Sequence, residues 1–185
     1  MLNNSVNQLL SFSASYAIPK NESAKPTVPV VTRSHENELS ERDQIFITRA
    51  AETGLTEVEG GRLAQQKSFS TAIKNFAQKM IDQHKKVNVE LRALAANKGL
   101  SLSWQPSLEQ QNDLKLLEAL GEEFDQHYVE RLTITAHEDA VKMFKEAVEK
   151  TQDKDVKRFV EKNLPTLESH LELAKALQAK LNSEP

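Results

Sequence analysis

Apolar positions repeat with a helical period from residue 41 onward. Apolar and small residues recur there every three or four positions, which places them on one face of an α-helix. Ala, Leu, Glu, Lys and Gln dominate this part of the chain, and all of them favour helix. The pattern predicts long helices over residues 42–67, 70–98, 122–150 and 154–181, and a shorter helix over residues 107–120.

Four long amphipathic helices joined by short links are typical of an antiparallel four-helix bundle, and we expect up-down-up-down order. We expect the short extra helix, between the second and third long helices, to pack across one end. Gly54 and Gly61 lie on the inward face of the first helix, where they predict close approach by a neighbouring helix. Pro165 lies inside the last helix and predicts a kink there.

The first 40 residues differ from the rest and have no sustained period. They are rich in Asn, Ser, Pro and Thr, a composition typical of a disordered tail. A second interpretation is an export signal over residues 1–17, because small residues flank Tyr16 where a signal peptidase would cleave. The first basic residue is Lys20, however, so the charged start of such a signal is missing. Residues 41–185 are predicted to form the bundle domain.

Composition narrows the function. Lys and Arg number 24 and Asp and Glu number 27, giving a net charge of −3, which argues against nucleic-acid binding. There is no cysteine, so disulfides, thiol nucleophiles and thiolate metal sites are excluded. No apolar run approaches the ~18 residues of a transmembrane helix, so no transmembrane segment is predicted.

Four polar residues stand where core residues belong, in the middle of the apolar faces: Glu57, His84, His137 and His170. Glu57 and His84 lie about 12 and 15 residues from the link between them, and His137 and His170 about 14 and 17 residues from theirs. At 1.5 Å per residue the heights within each pair differ by about 5 Å. The four side chains are therefore predicted to converge at mid-height in the bundle core.

Two interpretations of this convergence stay open. One is a site for a single transition-metal ion (Fe, Zn, Cu or Mn), because imidazole is a common ligand of such metals. The other is a polar cluster without metal, in which Glu57 pairs with a protonated histidine. Glu130, Asp125 and Tyr128 are weaker candidates for supporting roles. Asp125 also suits the positive start of a helix, and Tyr128 is expected to pack with its hydroxyl reaching a partner.

Several catalytic motifs are absent from the sequence. No helix carries Glu-x-x-His, so the usual di-iron pattern is missing, and no nucleophile elbow, phosphate-binding loop or dinucleotide fingerprint occurs. A function without catalysis is therefore favoured over an enzyme.

Four segments resemble the bacterial domain-of-unknown-function 4142 family over residues 43–177. They are Ala51-Glu-Thr-Gly-Leu-Thr-Glu57, Phe76-Ala-Gln-Lys-Met-Ile-Asp-Gln-His84, Gly121-Glu-Glu-Phe-Asp-Gln-His-Tyr128 and Leu164-Pro-Thr-Leu-Glu-Ser-His170-Leu. The resemblance implies a ferritin-like four-helix bundle and places the family's Glu and three His on the four residues above. Its Phe-Asp-x-x-Tyr pattern falls on Phe124, Asp125 and Tyr128. Gln83 stands where the family commonly has Asp.

Members of that family often carry export signals and are labelled outer-membrane or secreted proteins. The resemblance therefore implies a periplasmic or exported location, with the cytoplasm as the alternative. Two functions remain: a stress-associated structural or binding protein without catalysis, or a mononuclear metal-binding protein. The sequence specifies neither a protein partner nor an oligomeric state.

Overall fold

A computed structural model describes residues 38–183 of the chain. This range contains helices and no strand, which confirms the predicted all-α fold. The predicted tail or signal falls on residues that, up to position 37, lie outside the described range. The helices are α1 Glu41–Lys67, α2 Thr71–Asn97, α3 Leu108–Ala119, α4 Phe124–His127, a π-helical segment Tyr128–Thr135, α5 Ala136–Lys150 and α6 Lys154–Ser183.

The helix boundaries follow from local hydrogen bonding. Ser40 caps α1 by accepting a hydrogen bond from the backbone N–H of Asp43 at 3.1 Å. Ser107 and Gln110 form a reciprocal capping box at the start of α3. Gly99 follows α2 with a φ of 72°, a left-handed conformation that suits glycine after a helix end.

Helix α1 packs closely along α2, as its small residues predicted. A Cβ added to Gly61 would lie 3.2 Å from the backbone oxygen of Ala77 and 2.7 Å from Cγ1 of Ile81. Gly54 faces the side chain of Asn88 in the same way. Positions further along α1 thus meet positions earlier in α2, so the two helices are antiparallel.

The remaining helix directions follow from pairs of contacts. Helices α5 and α6 are antiparallel, because Lys145 pairs with Glu168 and Glu138 pairs with Lys175 further along α6. Helices α2 and α6 are also antiparallel: Glu90 meets Lys162, while residue 84 meets residue 170. Because α2 and α5 each run against α6, α2 and α5 are parallel to each other.

The prediction of up-down-up-down order is therefore wrong. The connection between α2 and α4, residues 98–123, must return from one end of the domain to the other. Leu100 and Leu102 pack near the start of α1, and Leu117 packs near its end. Helix α3 consequently lies along the long helices, with Leu114 beside Gly60 of α1, and does not pack across one end. Helical periodicity carries no information on direction, which explains the error.

Two apolar clusters lie at the two ends of the long helices. The first apolar cluster joins the start of α1, the end of α2, the end of α5 and the start of α6, and includes Phe46, Ile47, Leu91, Phe144, Val156 and Phe159. The second joins the opposite helix ends and includes Ala64, Ile73, Met80, Tyr128, Val129 and Leu177. Four buried polar residues lie between the two clusters: Glu57, His84, His137 and His170.

Two local features concern helix continuity. The π-helical segment Tyr128–Thr135 was not predicted; within it, the hydroxyl of Thr133 donates to the carbonyl of Val129 at 2.5 Å. Helix α6 continues through Pro165 from Lys154 to Ser183.

No helix within residues 38–183 has the length and apolar character needed to cross a membrane.

Candidate metal centre

His84, His137 and His170 meet in the polar level between the two apolar clusters. They come from α2, α5 and α6, and each is at most 4% exposed. Their ring centroids form a triangle with sides of 5.5, 5.2 and 5.2 Å. One nitrogen from each ring lies within 4.8 Å of the other two. We call these three residues the histidine cluster.

The nitrogen separations fit a single small metal ion. Nε2 of His84 lies 3.4 Å from Nε2 of His137, which lies 3.3 Å from Nδ1 of His170. Two nitrogens bound at about 2.0–2.1 Å in a tetrahedral site are about 3.3–3.4 Å apart. The cluster therefore already has the spacing of metal ligands along two edges of the triangle.

Neighbouring groups fix the tautomers of two of these rings. Nδ1 of His137 donates to the carbonyl oxygen of Thr133 at 2.7 Å, which leaves the lone pair on Nε2. Nε2 of His170 donates to Oε1 of Gln83, which leaves the lone pair on Nδ1. These lone pairs belong to the two nitrogens that face each other at 3.3 Å.

This arrangement limits hydrogen bonding inside the histidine cluster. Two acceptor nitrogens cannot hydrogen-bond to each other, so the contact between His137 and His170 brings two lone pairs together. A proton on Nε2 of His84 can donate only towards His137, 3.4 Å away. The centre of the cluster is therefore electron-rich and suited to a bound cation.

Burial favours the neutral form of the three imidazoles. Burial lowers the pKa of His84 well below its ordinary value, with a further decrease from His137 and His170. Burial also lowers the pKa of His137, against a smaller opposing effect of the hydrogen bond to Thr133. Burial lowers the pKa of His170 to about 3, with His137 adding to the decrease. Neutral imidazole is the form that binds metal.

Glu57 adjoins the histidine cluster behind His137. Its Oε1 lies 3.6 Å from Nδ1 of His137, on the side of the ring opposite the nitrogen that faces the other histidines. Its Oε2 is buried and has no hydrogen-bond partner among residues 38–183. Burial raises the pKa of this carboxyl well above its ordinary value.

The supporting candidates form no hydrogen bond with the histidine cluster within residues 38–183. Tyr128 is fully buried in the second apolar cluster, and burial and then Glu57 raise the pKa of its hydroxyl. That hydroxyl and Oδ1 of Asp125 have no hydrogen-bond partner among the described residues. Glu130 accepts a hydrogen bond from the exposed Gln126 at 3.2 Å.

Sequence reasoning missed Gln83 as a site residue. Adjacent residues on a helix point about 100° apart, so Gln83 was not among the predicted site residues. It does point to another side of α2, and that side faces α6, where its oxygen reaches His170. The sequence offered one signal for this hydrogen bond, namely that Gln83 adjoins His84. Which helix faces Gln83 is known only from the structure.

Comparison with known proteins gives the family. The model of a family described as a domain of unknown function, DUF4142, matches residues 28–177. The chain belongs to the DUF4142 family. The resemblance drawn from the four sequence segments is thus confirmed. No curated protein matches this DUF4142 chain.

A solved structure has a similar fold. It is the crystal structure of a DUF305 fragment from Deinococcus radiodurans, with a TM-score of 0.67 and 13% sequence identity. The match covers 77% of the DUF4142 chain and 99% of that fragment. At this identity the similarity shows the fold alone.

Proposed function

We propose that this chain binds one transition-metal ion through His84, His137 and His170. The observation that carries the proposal is the pair of lone pairs at 3.3 Å on His137 and His170, each set by a hydrogen bond to the far side of its ring. Hydrogen bonds that orient metal-bound imidazoles in this way are typical of metal sites. A cation at the centre would convert the repulsion between the lone pairs into two ligand bonds.

The donor set favours one ion over two. Di-metal sites in helical bundles use several bridging carboxylates, whereas this cluster offers three imidazoles with a single carboxylate, Glu57, beside it. Imidazole suits Zn, Cu, Fe and Ni. Three protein nitrogens leave a coordination position for water or an exogenous ligand, since Glu57 lies on the far side of the His137 ring.

Metal content is the direct test. The full chain, with any affinity tag removed, would be equilibrated separately with Fe, Zn, Cu and Mn, desalted and analysed for bound metal. We expect about one equivalent per chain of at least one metal. His170→Asn should lose it, while His127→Asn, which changes an exposed histidine, should retain it. No bound metal, or equal metal in both variants, would contradict the proposal.

A second candidate function is that of a stress-associated structural or binding protein without metal or catalysis. The 3.6 Å approach of Glu57 to His137 favours it, because an ion pair between the Glu57 carboxylate and a protonated His137 would stabilise the polar level without a metal ion. In that case His170→Asn would lower the melting temperature and change nothing in metal content.

We also propose that the domain is a ferritin-like four-helix bundle. A long crossover between the second and third long helices is typical of ferritin-like bundles, and residues 98–123 supply such a connection. A crystal structure of the full chain would test this assignment.

We further propose export to the periplasm, which rests on the family resemblance. Cell fractionation with sequencing of the mature N-terminus would test it, and full-length protein in the cytoplasm would refute it.

A further inference from the structure

An open groove of about 990 Å³ runs along one side of the domain. Its walls are α1, α3 and the continuous stretch formed by the π-helical segment and α5. Helix α1 contributes a stripe spaced by three and four residues, which is one face of the helix: Arg49, Glu52, Thr53, Thr56 and Glu57. The groove thus reaches the same level of the domain as the histidine cluster.

The charge of the groove lining is negative. Six acidic side chains line it against three Arg and Lys side chains. Glu52 is half-buried, whereas Asp113 and Asp139 are exposed. None of these three carboxylates forms an ion pair within residues 38–183. No ion pair offsets their charges, and acidic side chains in the lining outnumber the basic ones. We call this feature the acidic groove.

Glu57 connects the acidic groove with the histidine cluster. It lines the groove although it is only 2% exposed, so it stands at the inner end. Its Oε2 has no hydrogen-bond partner among the described residues, and its Oε1 lies 3.6 Å from His137. A buried carboxylate oxygen without a partner is costly, and its retention at the end of a groove points to a ligand that arrives there.

We propose that the acidic groove is the route by which a divalent cation reaches the histidine cluster, with Glu57 as the carboxylate that receives it at the inner end. The inference rests on the proposed metal-binding function. Carboxylates lining a cleft raise the local concentration of cations and speed their association. The ion would exchange water, and Glu57 would release its proton, as the free oxygen of Glu57 binds. His137, whose Nδ1 lies 3.6 Å from Glu57, is the first residue of the histidine cluster along this path.

Metal-loading kinetics test the route separately from the site. The full-length apo chain would be mixed with Zn²⁺ in a stopped-flow instrument, and a zinc-sensitive dye would report the free ion. The test variant is Glu52→Gln with Asp139→Asn, which removes two charges from the acidic groove. The matched control is Glu161→Gln with Glu172→Gln, which removes two exposed charges from α6, outside the groove.

We expect the groove variant to load Zn²⁺ about three- to tenfold more slowly at low salt, with the difference shrinking at high salt. Its final stoichiometry should match that of the unmodified chain, and the control should load at the unmodified rate. Circular dichroism would establish that both variants are folded.

Each other outcome decides between the two proposals. Equal loading rates in the groove variant and the control, with normal stoichiometry, would overturn the route and leave the metal site standing. An equally slow control would assign the effect to net charge and also overturn the route. Absence of Zn²⁺ binding to the unmodified chain would overturn the route together with a zinc site.

Discussion

Oε1 of Gln83 on α2 accepts a hydrogen bond from Nε2 of His170 on α6. This contact leaves the lone pair of His170 on the nitrogen that faces His137. We predict that Gln83→Leu weakens metal binding about 10- to 100-fold, because an unanchored imidazole loses its orientation and tautomer. Competition titration against a chelator would measure the affinity.

Two companion variants sharpen this test. Gln83→Glu keeps an acceptor oxygen and should retain most of the affinity. Asp82→Asn changes the adjacent exposed position and should leave metal binding unchanged. If Gln83→Leu binds metal as tightly as the unmodified chain, the hydrogen bond to His170 has no orienting role.

The stability of the metal-free protein should fall as the solution becomes acidic. The ordinary pKa of 6.5 describes histidine in the unfolded chain, and burial lowers the pKa of His84, His137 and His170 in the fold, for His170 to about 3. Below pH 6.5 the unfolded chain therefore binds more protons than the fold. The stabilisation by neutral imidazoles is present above pH 6.5 and is lost as the pH falls.

Each such proton changes the free energy of unfolding by about 1.4 kcal/mol per pH unit. Urea denaturation from pH 7 to pH 4, in the presence of a chelator, would measure the slope. His170→Asn should reduce this slope by the amount that corresponds to about one proton. His127→Asn, which changes an exposed histidine, should leave the slope unchanged. A slope that is identical in His170→Asn and the unmodified chain would contradict the lowered pKa of His170.

Glu57 should lower the free energy of unfolding as the pH rises, opposite to the effect of the histidines. Burial raises its pKa above the ordinary 4.5, so its contribution to stability is full below pH 4.5 and is lost as the pH rises. Glu57→Gln keeps the shape and cannot ionise, so its stability relative to the unmodified chain should increase from pH 5 to pH 8. Urea denaturation at the two pH values would measure the change. An unchanged difference would mean that Glu57 titrates normally.

Close packing between α1 and α2 makes Gly61 sensitive to a single methyl group. Gly61→Ala gains about 1 kcal/mol of helix propensity, but its Cβ would press against Ile81 and the backbone of Ala77. Overpacking costs about 1–3 kcal/mol, so we expect a net loss of up to about 2 kcal/mol, measured by thermal denaturation. Gly121→Ala is the matched control, because nothing lies within 4 Å of its added Cβ. Equal stability of the two variants would contradict this packing.

Much of the fold and of the candidate site was predictable from the sequence. The 3.6-residue period and the capping residues located the helices, because both depend on neighbours along the chain. Counting residues from the links placed His84, His137 and His170 at one level, because helix rise is constant. That level is where the structure brings their rings together.

Features that depend on which helices are neighbours were not predictable. The parallel course of α2 and α5 depends on the path of residues 98–123, and the periodic pattern is the same for either direction. The π-helical segment Tyr128–Thr135 depends on hydroxyl–carbonyl bonds and tertiary packing that apolar spacing does not encode. The role of Gln83 required knowing that α6, and not another helix, packs beside it.

The crossover has a consequence for how this domain can be joined to other chains. Because α1 and α6 run in the same direction, Leu39 lies in the first apolar cluster and Leu181 packs against the second. A helix of the length of α1 spans about 40 Å, so a linker closing the domain into a ring would need about 12 residues or more. Circular permutants with short linkers should therefore misfold. Two proteins fused at residues 38 and 183 would be held at opposite ends of the domain.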